Sequence, residues 1–343
     1  MKTTKESKLI KFTNKGIYCP TADIYIDPWK PVKRALITHG HSDHARPGMK
    51  SYLATKKAVP VIKHRLGSSI DIQGIEYNEP IKINGVDFSF HPAGHIIGSA
   101  QIRVSYKGEI WVISGDYKIE NDGLTTPFEP IKCHHFVTES TFGIPAFNWK
   151  PQSEVINEIN EWWSENKSKN STSIISAYSL GKAQRLIHNI DHSIGQIYCH
   201  TAVQNVNEII KSQGIDIKLT KSVNALKPKD SAGSLIIIPP GAITEKWLRQ
   251  FKQVRTASAS GWMAIRGTRR RSPVDRGFVL SDHADWNGLN DAVKNTGAEN
   301  IYVTHGYTNI YSKYLSGLGF NAKIVETEYT GEQSDSANEK EAS

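Results

Sequence analysis

Apolar and polar residues alternate through VDFSF at 86–90 and again through QIRVSYKGEIWVIS at 101–114, the period-two pattern of strands that bury one face. Lys107-Gly108 interrupts the longer stretch and predicts a hairpin turn there. From Ile24 to about Phe142 the same alternation predicts mainly short strands and turns. It changes around Phe147 to Pro151. The following SEVINEINEWWSENK brings Val155, Ile156, Ile159, Trp162 and Trp163 onto one helical face, a spacing that accounts for both tryptophans as core. TSIISAY, LGKAQRLIHNI, QIYCH, AVQNVNEIIKSQG (ended by Gly214), IIIPP and AITEKWLRQF then alternate strand with helix, which predicts a parallel sheet.

After Gly277, polar residues again follow directly on short apolar strands. FVL leads into Ser281-Asp282-His283, a helix is predicted from about Trp286 to Asn295, and IYV leads into Thr304-His305-Gly306. The stretch from Thr330, TGEQSDSANEKEAS, lacks apolar periodicity and is predicted to be disordered. Polar residues at strand ends on both sides of the alternating stretch predict an α/β protein in which one domain is interrupted by another. Residues 1–148 and 278–329 would form the first, 149–277 the insert, and 330–343 the tail. No internal repeat is evident.

A length of 343 residues is ample for two domains with a sizeable core, and a composition 38% hydrophobic and 22% charged excludes a fibrous or wholly disordered chain. The net charge of +8 favours polyanionic partners, although charge alone is weak evidence. Cys19, Cys133 and Cys199 stand far apart with no CxxC pair, which argues against a disulfide framework or a thiolate zinc site and for a reducing compartment. MKTTKESKLIKF lacks an apolar signal region, and no run of about 18 apolar residues offers a membrane span. The expectation is a cytoplasmic protein with no membrane partner.

LITHGHSDH, at 36–44, changes the picture. It crowds three histidines and an aspartate into His39-x-His41-x-Asp43-His44 directly after an apolar run, where no hydrophobic role explains them. Imidazole and carboxylate suit Zn²⁺ or Mn²⁺, and a turn there can point His39 and His41 one way and Asp43 and His44 another, enough to begin two adjacent metal sites. Other polar residues follow apolar strands: Asp27, His95, Asp116, Glu139, His283 and His305. Simpler readings exist for some of them. Asp27 before Pro28 could start a turn, and Ser281-Asp282-His283 or Asp285 could cap the next helix. Cys133, His134 and His135 read as structural or exposed, and His64, His91, His188, His192 and His200 have no partner pattern.

Taken in order, the aspartate of YIDP, HxHxDH, AGHIIGSA, SGDY, ESTFG, SDHAD and VTHGY resemble the metallo-β-lactamase superfamily, and the last three resemble its β-CASP nucleases. The resemblance covers nearly the whole chain. It implies an αββα sandwich interrupted by an inserted β-CASP α/β domain, with two divalent metals, Zn²⁺ or Mn²⁺. His39, His41 and His95 would hold one metal, Asp43, His44 and His305 the other, and Asp116 both. Asp27 would orient a ligand imidazole, and Glu139 with His283 would handle the leaving-group proton. LITHGHSDHARPGMKSYLAT, SGDYKIENDGLTTPFEPIKC, AYSLGKAQRLI, SGWMAIRGTRRR and VDRGFVLSDHADWNGL resemble most closely the bacterial ligase-associated DNA exonucleases, often described as resembling messenger RNA 3′-end processing factors. That implies a DNA exonuclease acting on a single strand or strand end, with a functional link to an ATP-dependent DNA ligase and a helicase. RNA-processing members share the histidine of the last motif, here His305, so RNA is the alternative substrate and a small-molecule hydrolase a remoter one. Lys182, Arg266, Arg269, Arg270, Arg271 and Arg276 are the expected nucleic-acid contacts, although a charge run also suits a solvated face.

Overall fold

A computed structural model describes residues 9–329; the tail expected from Thr330 lies outside the described residues. The described residues divide into two compact units, one comprising Asp122–Leu124 and Pro145–Asp282, the other residues 9–121, Thr125–Ile144 and residues 283–329.

The unit that opens the chain begins with β1 (Lys11–Thr13), β2 (Gly16–Cys19), β3 (Ile24–Ile26), β4 (Arg34–Leu36) and β5 (Ser51–Thr55), followed by α1 (Val59–Leu66) and β6 (Ile72–Ile75). These strands form a sheet in sequence order, antiparallel from β1 to β3 and parallel from β3 to β6. The period-two reading missed α1, whose Pro60 sits in the first turn, where a helix needs no N–H from it. A second sheet runs through β7 (Ile81–Ile83), β8 (Val86–Pro92), β9 (Ala100–Tyr106), β10 (Glu109–Ile113) and β11 (His135–Ser140). Lys107 and Gly108 form the β9–β10 turn with φ of 49° and 84°, the doubly left-handed geometry that matches strand twist in a two-residue hairpin.

The other unit starts with α2 (Gln152–Ser168), whose buried face is Val155, Ile156, Ile159, Trp162, Trp163 and Asn166. Then come β12 (Thr172–Ser176), α3 (Lys182–Asn189), β13 (Ile197–Cys199), α4 (Thr201–Ser212), β14 (Lys221–Ser222), β15 (Leu235–Ile238), α5 (Glu245–Leu248), β16 (Val254–Ala259), α6 (Arg266–Arg271) and β17 (Arg276–Phe278). All six strands are parallel, in the order β14-β13-β15-β12-β16-β17. AITEKWLRQF forms only the short α5, capped by Thr244.

Returning to the first unit, α7 (Trp286–Thr296), β18 (Asn300–Gly306), α8 (Thr308–Gly317) and β19 (Asn321–Ile324) complete it, with β18 pairing parallel to β11 and to β19. Ile24, Ile26 and Leu36 of the first sheet bury against Phe88, Phe90, Ile102, Val104 and Val137 of the second. On the outer side of the first sheet Ala35, Ile37 and Tyr52 pack with Ile62 of α1, and outside the second Phe136, Ile301 and Val303 pack with Leu289 and Val293 of α7 and Leu315 of α8. The unit is the four-layer αββα sandwich expected from the sequence.

One irregularity bears on the chemistry. Thr138 pairs with Val303 and Ser140 with Gly306, so Thr304 and His305 of β18 stand opposite the single Glu139 of β11. Such a bulge re-aims side chains near a strand end. Ser140 secures it by donating its hydroxyl to the carbonyls of Thr304 and His305. Gly306 has φ +89°, and a Cβ there would lie 2.3 Å from Ser140 O. Gly306→Ala should therefore cost at least about 2 kcal/mol, read as a lower midpoint in urea unfolding; an unchanged midpoint would show that the bulge accommodates a side chain.

Candidate metal centre

The expected ligands converge on Asp116, just past β10. Its Oδ2 lies 3.6 Å from His39 Nε2 and 3.8 Å from His95 Nε2, whereas Oδ1 lies 3.6 Å from His44 Nε2 and 3.2 Å from His305 Nε2. The two oxygens thus face two different pairs of imidazoles. His41 Nδ1 joins the first set, 3.1 Å from His95 Nε2, and Asp43 Oδ2 joins the second, 3.8 Å from His44 Nε2. His39, His41, His95 and Asp116 each offer a ligand atom within 4.8 Å of the others.

Buried polar atoms are nearly always hydrogen-bonded. Here Nε2 of His39, His44 and His305 and Oδ1 of Asp116 are buried without a hydrogen-bond partner among the described residues, and even the His305–Asp116 approach lacks hydrogen-bond alignment. Orphaned nitrogens turned toward a shared carboxylate fit a dinuclear metal site, with imidazole and carboxylate donors that hold divalent cations.

Outer partners fix which nitrogen faces inward. Thr38 donates its only hydroxyl hydrogen to Asp27 Oδ2 at 2.5 Å, so toward His39 Nδ1, 3.0 Å away, it accepts. His44 Nδ1 donates to the same Asp27 oxygen at 2.8 Å, and the Thr38 amide donates to the other. Thr304, donating to the Thr138 carbonyl, stands 3.5 Å from His305 Nδ1 in a looser version of the same arrangement. Each ring so carries its hydrogen on Nδ1 and presents Nε2 to the cluster. Asp27 does this from a left-handed backbone, φ +42°, a strain that clusters at functional positions.

Glu139 and His283 form a second buried pair, Oε2 to Nδ1 at 2.8 Å, while Glu139 Oε1 accepts the Tyr117 amide at 2.8 Å. The His283 and His95 ring centroids are 4.6 Å apart. Asp116, Glu139 and His283 also place ligand atoms within 4.8 Å, so position offers His283 two uses, acid or ligand. Helix capping is not among them, since Asp285 caps α7 by accepting the Gly288 amide. Other histidines have structural occupations: His134 accepts the Ile110 amide, His135 stacks on Trp111, and His200 caps α4.

The nucleic-acid contacts expected from the sequence divide. Arg266, Arg269, Arg270 and Arg271 on α6, and Arg276 on β17, lie at the surface, with Arg276 3.6 Å from Glu158. Lys182 departs from the expectation, because it is fully buried with Nζ over the Tyr178 ring at 4.6 Å and shows no surface to a phosphate.

No family model matches the chain. It is 25% identical over 319 residues to "Probable DNA ligase" of Opitutus terrae, covering 92% of this chain and 31% of that protein. It is 23% identical to "Endoribonuclease YSH1" of Kluyveromyces lactis (77% of this chain, 42% of that protein) and 27% identical to that of Candida glabrata (72% and 39%). The chain thus spans about a third to two fifths of these relatives. These similarities support the resemblance of the chain to the β-CASP branch of the metallo-β-lactamase superfamily. In fold, it resembles a protein of unknown function from Enterococcus faecalis V583, with a TM-score of 0.57 at 12% identity over 79% of this chain and 74% of that one.

Sequence reading passed over Tyr329. Its ring stacks on His44 with centroids 4.3 Å apart and planes at 13°, meets His305 edge-on at 5.9 Å, and donates its hydroxyl to the Asp27 carbonyl at 2.9 Å. Glu328 holds the segment through Lys30 at 3.5 Å and Arg46 at 3.6 Å. Burial, then Asp27, Asp43 and Asp116, pushes the phenol far above its ordinary value, so it stays neutral. No motif surrounds Tyr329, and an aromatic in ETEY is a weak signal. Tyr329→Leu should weaken binding of the second cation by about 10–100-fold while Tyr329→Phe, which keeps the stack, retains most of it; equal losses would assign the effect to the hydroxyl instead.

Titration behaviour follows the same geometry. Burial, then His44, drives His39 well below the ordinary histidine value, leaving it neutral. Burial would also lower His44, but Asp43, Asp116 and Asp27 outweigh it and push it up to about 10. Asp116, which burial would raise, is held well below the carboxylate range by His44, His305 and His283. A cation at His44 Nε2 must displace the proton that its raised value retains. Calorimetric titration with Zn²⁺ at pH 8 should show two ions per chain and release of at least one proton, with affinity falling as pH falls; binding without proton release would exclude His44 as a ligand.

Proposed function

We propose that the chain is a metal-dependent nuclease that hydrolyses phosphodiester bonds of DNA, as an exonuclease in repair linked to a DNA ligase. The observation that carries the hydrolytic reading is Asp116, whose two oxygens face separate imidazole pairs across orphaned Nε2 atoms. The DNA reading draws on the relative named "Probable DNA ligase", a region of which is similar to 92% of this chain. Cytoplasmic location and Zn²⁺ or Mn²⁺ as the cation belong to the same proposal. The three cysteines are free, and no helix among the described residues is long and apolar enough to cross a membrane.

His39, His41 and His95 would hold one cation, Asp43, His44 and His305 the other, and Asp116 both. Bound there, two divalent cations supply Lewis acidity toward a phosphoryl group and make water a nucleophile near neutral pH. The chain's own residues do the rest. Asp27, Thr38 and Thr304 keep the imidazoles turned inward. Glu139 holds the Nδ1 hydrogen of His283, favours the protonated ring and leaves Nε2 to give a proton to the departing sugar oxygen. The surface arginines of α6, within the unit proposed as the β-CASP insert, would contact phosphates, which neutralise well against guanidinium.

A second reading, an RNA-processing nuclease, is favoured by the relatives named endoribonuclease and by the histidine at 305. Time courses on end-labelled DNA and RNA strands of matched sequence, with Zn²⁺ or Mn²⁺, separate the two; faster cleavage of RNA would overturn the DNA reading. His283→Ala should leave both cations bound yet slow cleavage by about 10²–10⁴-fold, with a smaller loss on an ester carrying a phenolate leaving group. Loss of a cation in that variant would make His283 a ligand.

A further inference from the structure

Away from the ligand cluster the same unit carries an open cleft of about 410 Å³ whose lining includes Lys15, Asp23, Tyr25, Lys33, Arg34 and Lys50. Four cations face one carboxylate. Lys15, Lys33 and Lys50 are exposed, and none of them forms an ion pair among the described residues. Unpaired ammonium groups along a concave surface repel one another and concentrate anions.

The remaining members are held in place. Arg34 donates to the carbonyls of Ala22, at 2.5 Å, and Asp23, at 3.0 Å, which fixes its guanidinium. Asp23 is already occupied, accepting the Tyr18 hydroxyl at 2.9 Å, so its charge is partly spent within the protein. Tyr25 is the outward residue of β3, between the buried Ile24 and Ile26, and its ring stacks on Tyr18 at 4.4 Å. That pair presents an aromatic surface among the cations.

Register gives the cleft a direction. Ile17 pairs with Ile26, which puts Lys15 at the end of β3 that leads to Asp27, while Tyr25 pairs with Ala35, which puts Arg34 level with Ile24 toward the other end. From Asp23 to Asp27 the strand spans about 13 Å. The cleft therefore extends along β3, from the Asp27 end beside Lys15 to the level of Arg34.

We propose that this cleft is a track for single-stranded nucleic acid, with phosphates on Lys15, Lys33, Arg34 and Lys50 and a base against Tyr25. Cations that follow a backbone beside an aromatic ring are the combination that binds single strands without reading sequence. The proposal deepens the nuclease reading and rests on it. It also implies length dependence, because a small diester at the metal centre cannot reach β3's outer face.

The test combines Lys15→Glu, Lys33→Glu and Lys50→Glu in the full chain, with Lys→Gln at the same positions as a milder set should the reversal impair folding. Fluorescence anisotropy with labelled DNA and RNA strands of about 16 nucleotides, in chelator to keep them intact, reads binding at several salt concentrations. The variant should bind at least about tenfold more weakly at low salt, and the slope of log affinity against log salt should shrink by about 2, as expected for three lost phosphate contacts on a single strand. With metal restored, KM for the strand should rise while hydrolysis of bis-p-nitrophenyl phosphate stays unchanged. A parent that binds the strand and a variant that binds it equally well would overturn the track alone. A parent that hydrolyses the small diester but binds neither strand would overturn the nuclease reading and the track with it. Loss of binding to phosphatidylserine vesicles with strand binding intact would assign the cleft to a membrane surface and overturn the proposal.

Discussion

A buried carboxylate with an imidazole pair at each oxygen is the constraint around which the first unit is arranged. Asp116 sits almost out of reach of water, where an uncompensated charge is costly, and its compensation comes from nitrogens delivered by separate stretches of chain. Neither oxygen can be satisfied from one side of the sandwich. Both sheets must therefore end at the same edge, with the turns after β4, β8 and β10 and the end of β18 meeting there.

That requirement explains features that would otherwise be liabilities. Asp27 adopts a left-handed backbone, yet from it one carboxylate orients His44, anchors the Thr38 amide and, through the Thr38 hydroxyl, sets the ring of His39. The bulge opposite Glu139 unpairs part of β18, and the same distortion accompanies His305 at the cluster and Glu139 against His283. Local strain and lost ladder bonds are offset where they fix a donor's direction, since a ring turned by half a revolution presents the wrong nitrogen.

On the proposed function, chemistry and choice of substrate would separate along the molecule. In the proposed nuclease the cluster would supply phosphoryl chemistry without specifying which polymer is cut, and the relatives include one named for a DNA ligase and one named for an endoribonuclease. Choice of strand would then fall to the proposed contact surfaces, the arginines of α6 and the cleft along β3, which are basic without being sequence-specific. A net charge of +8 is consistent with both.

Much of this was legible in the residues alone. The period-two runs marked out β8 to β10 and the hairpin at Lys107-Gly108, the helical face of α2 followed from the spacing of Val155 to Trp163, and the candidate ligands stood out because imidazoles and carboxylates right after apolar strands have no use in a core. Those are local properties, set by spacing along the chain. What only the tertiary structure decided depends on distance across it: the approach of His39 and His95 to one oxygen of Asp116 and of His44 and His305 to the other, the burial of Lys182 against Tyr178, and the stacking of Tyr329 on His44. The register of β11 against β18 and the cleft beside β3 belong with them. Sequence periodicity fixes which face a residue occupies, but not which residues from distant segments share that face, because that is set by how the sheets pack and where pairing slips.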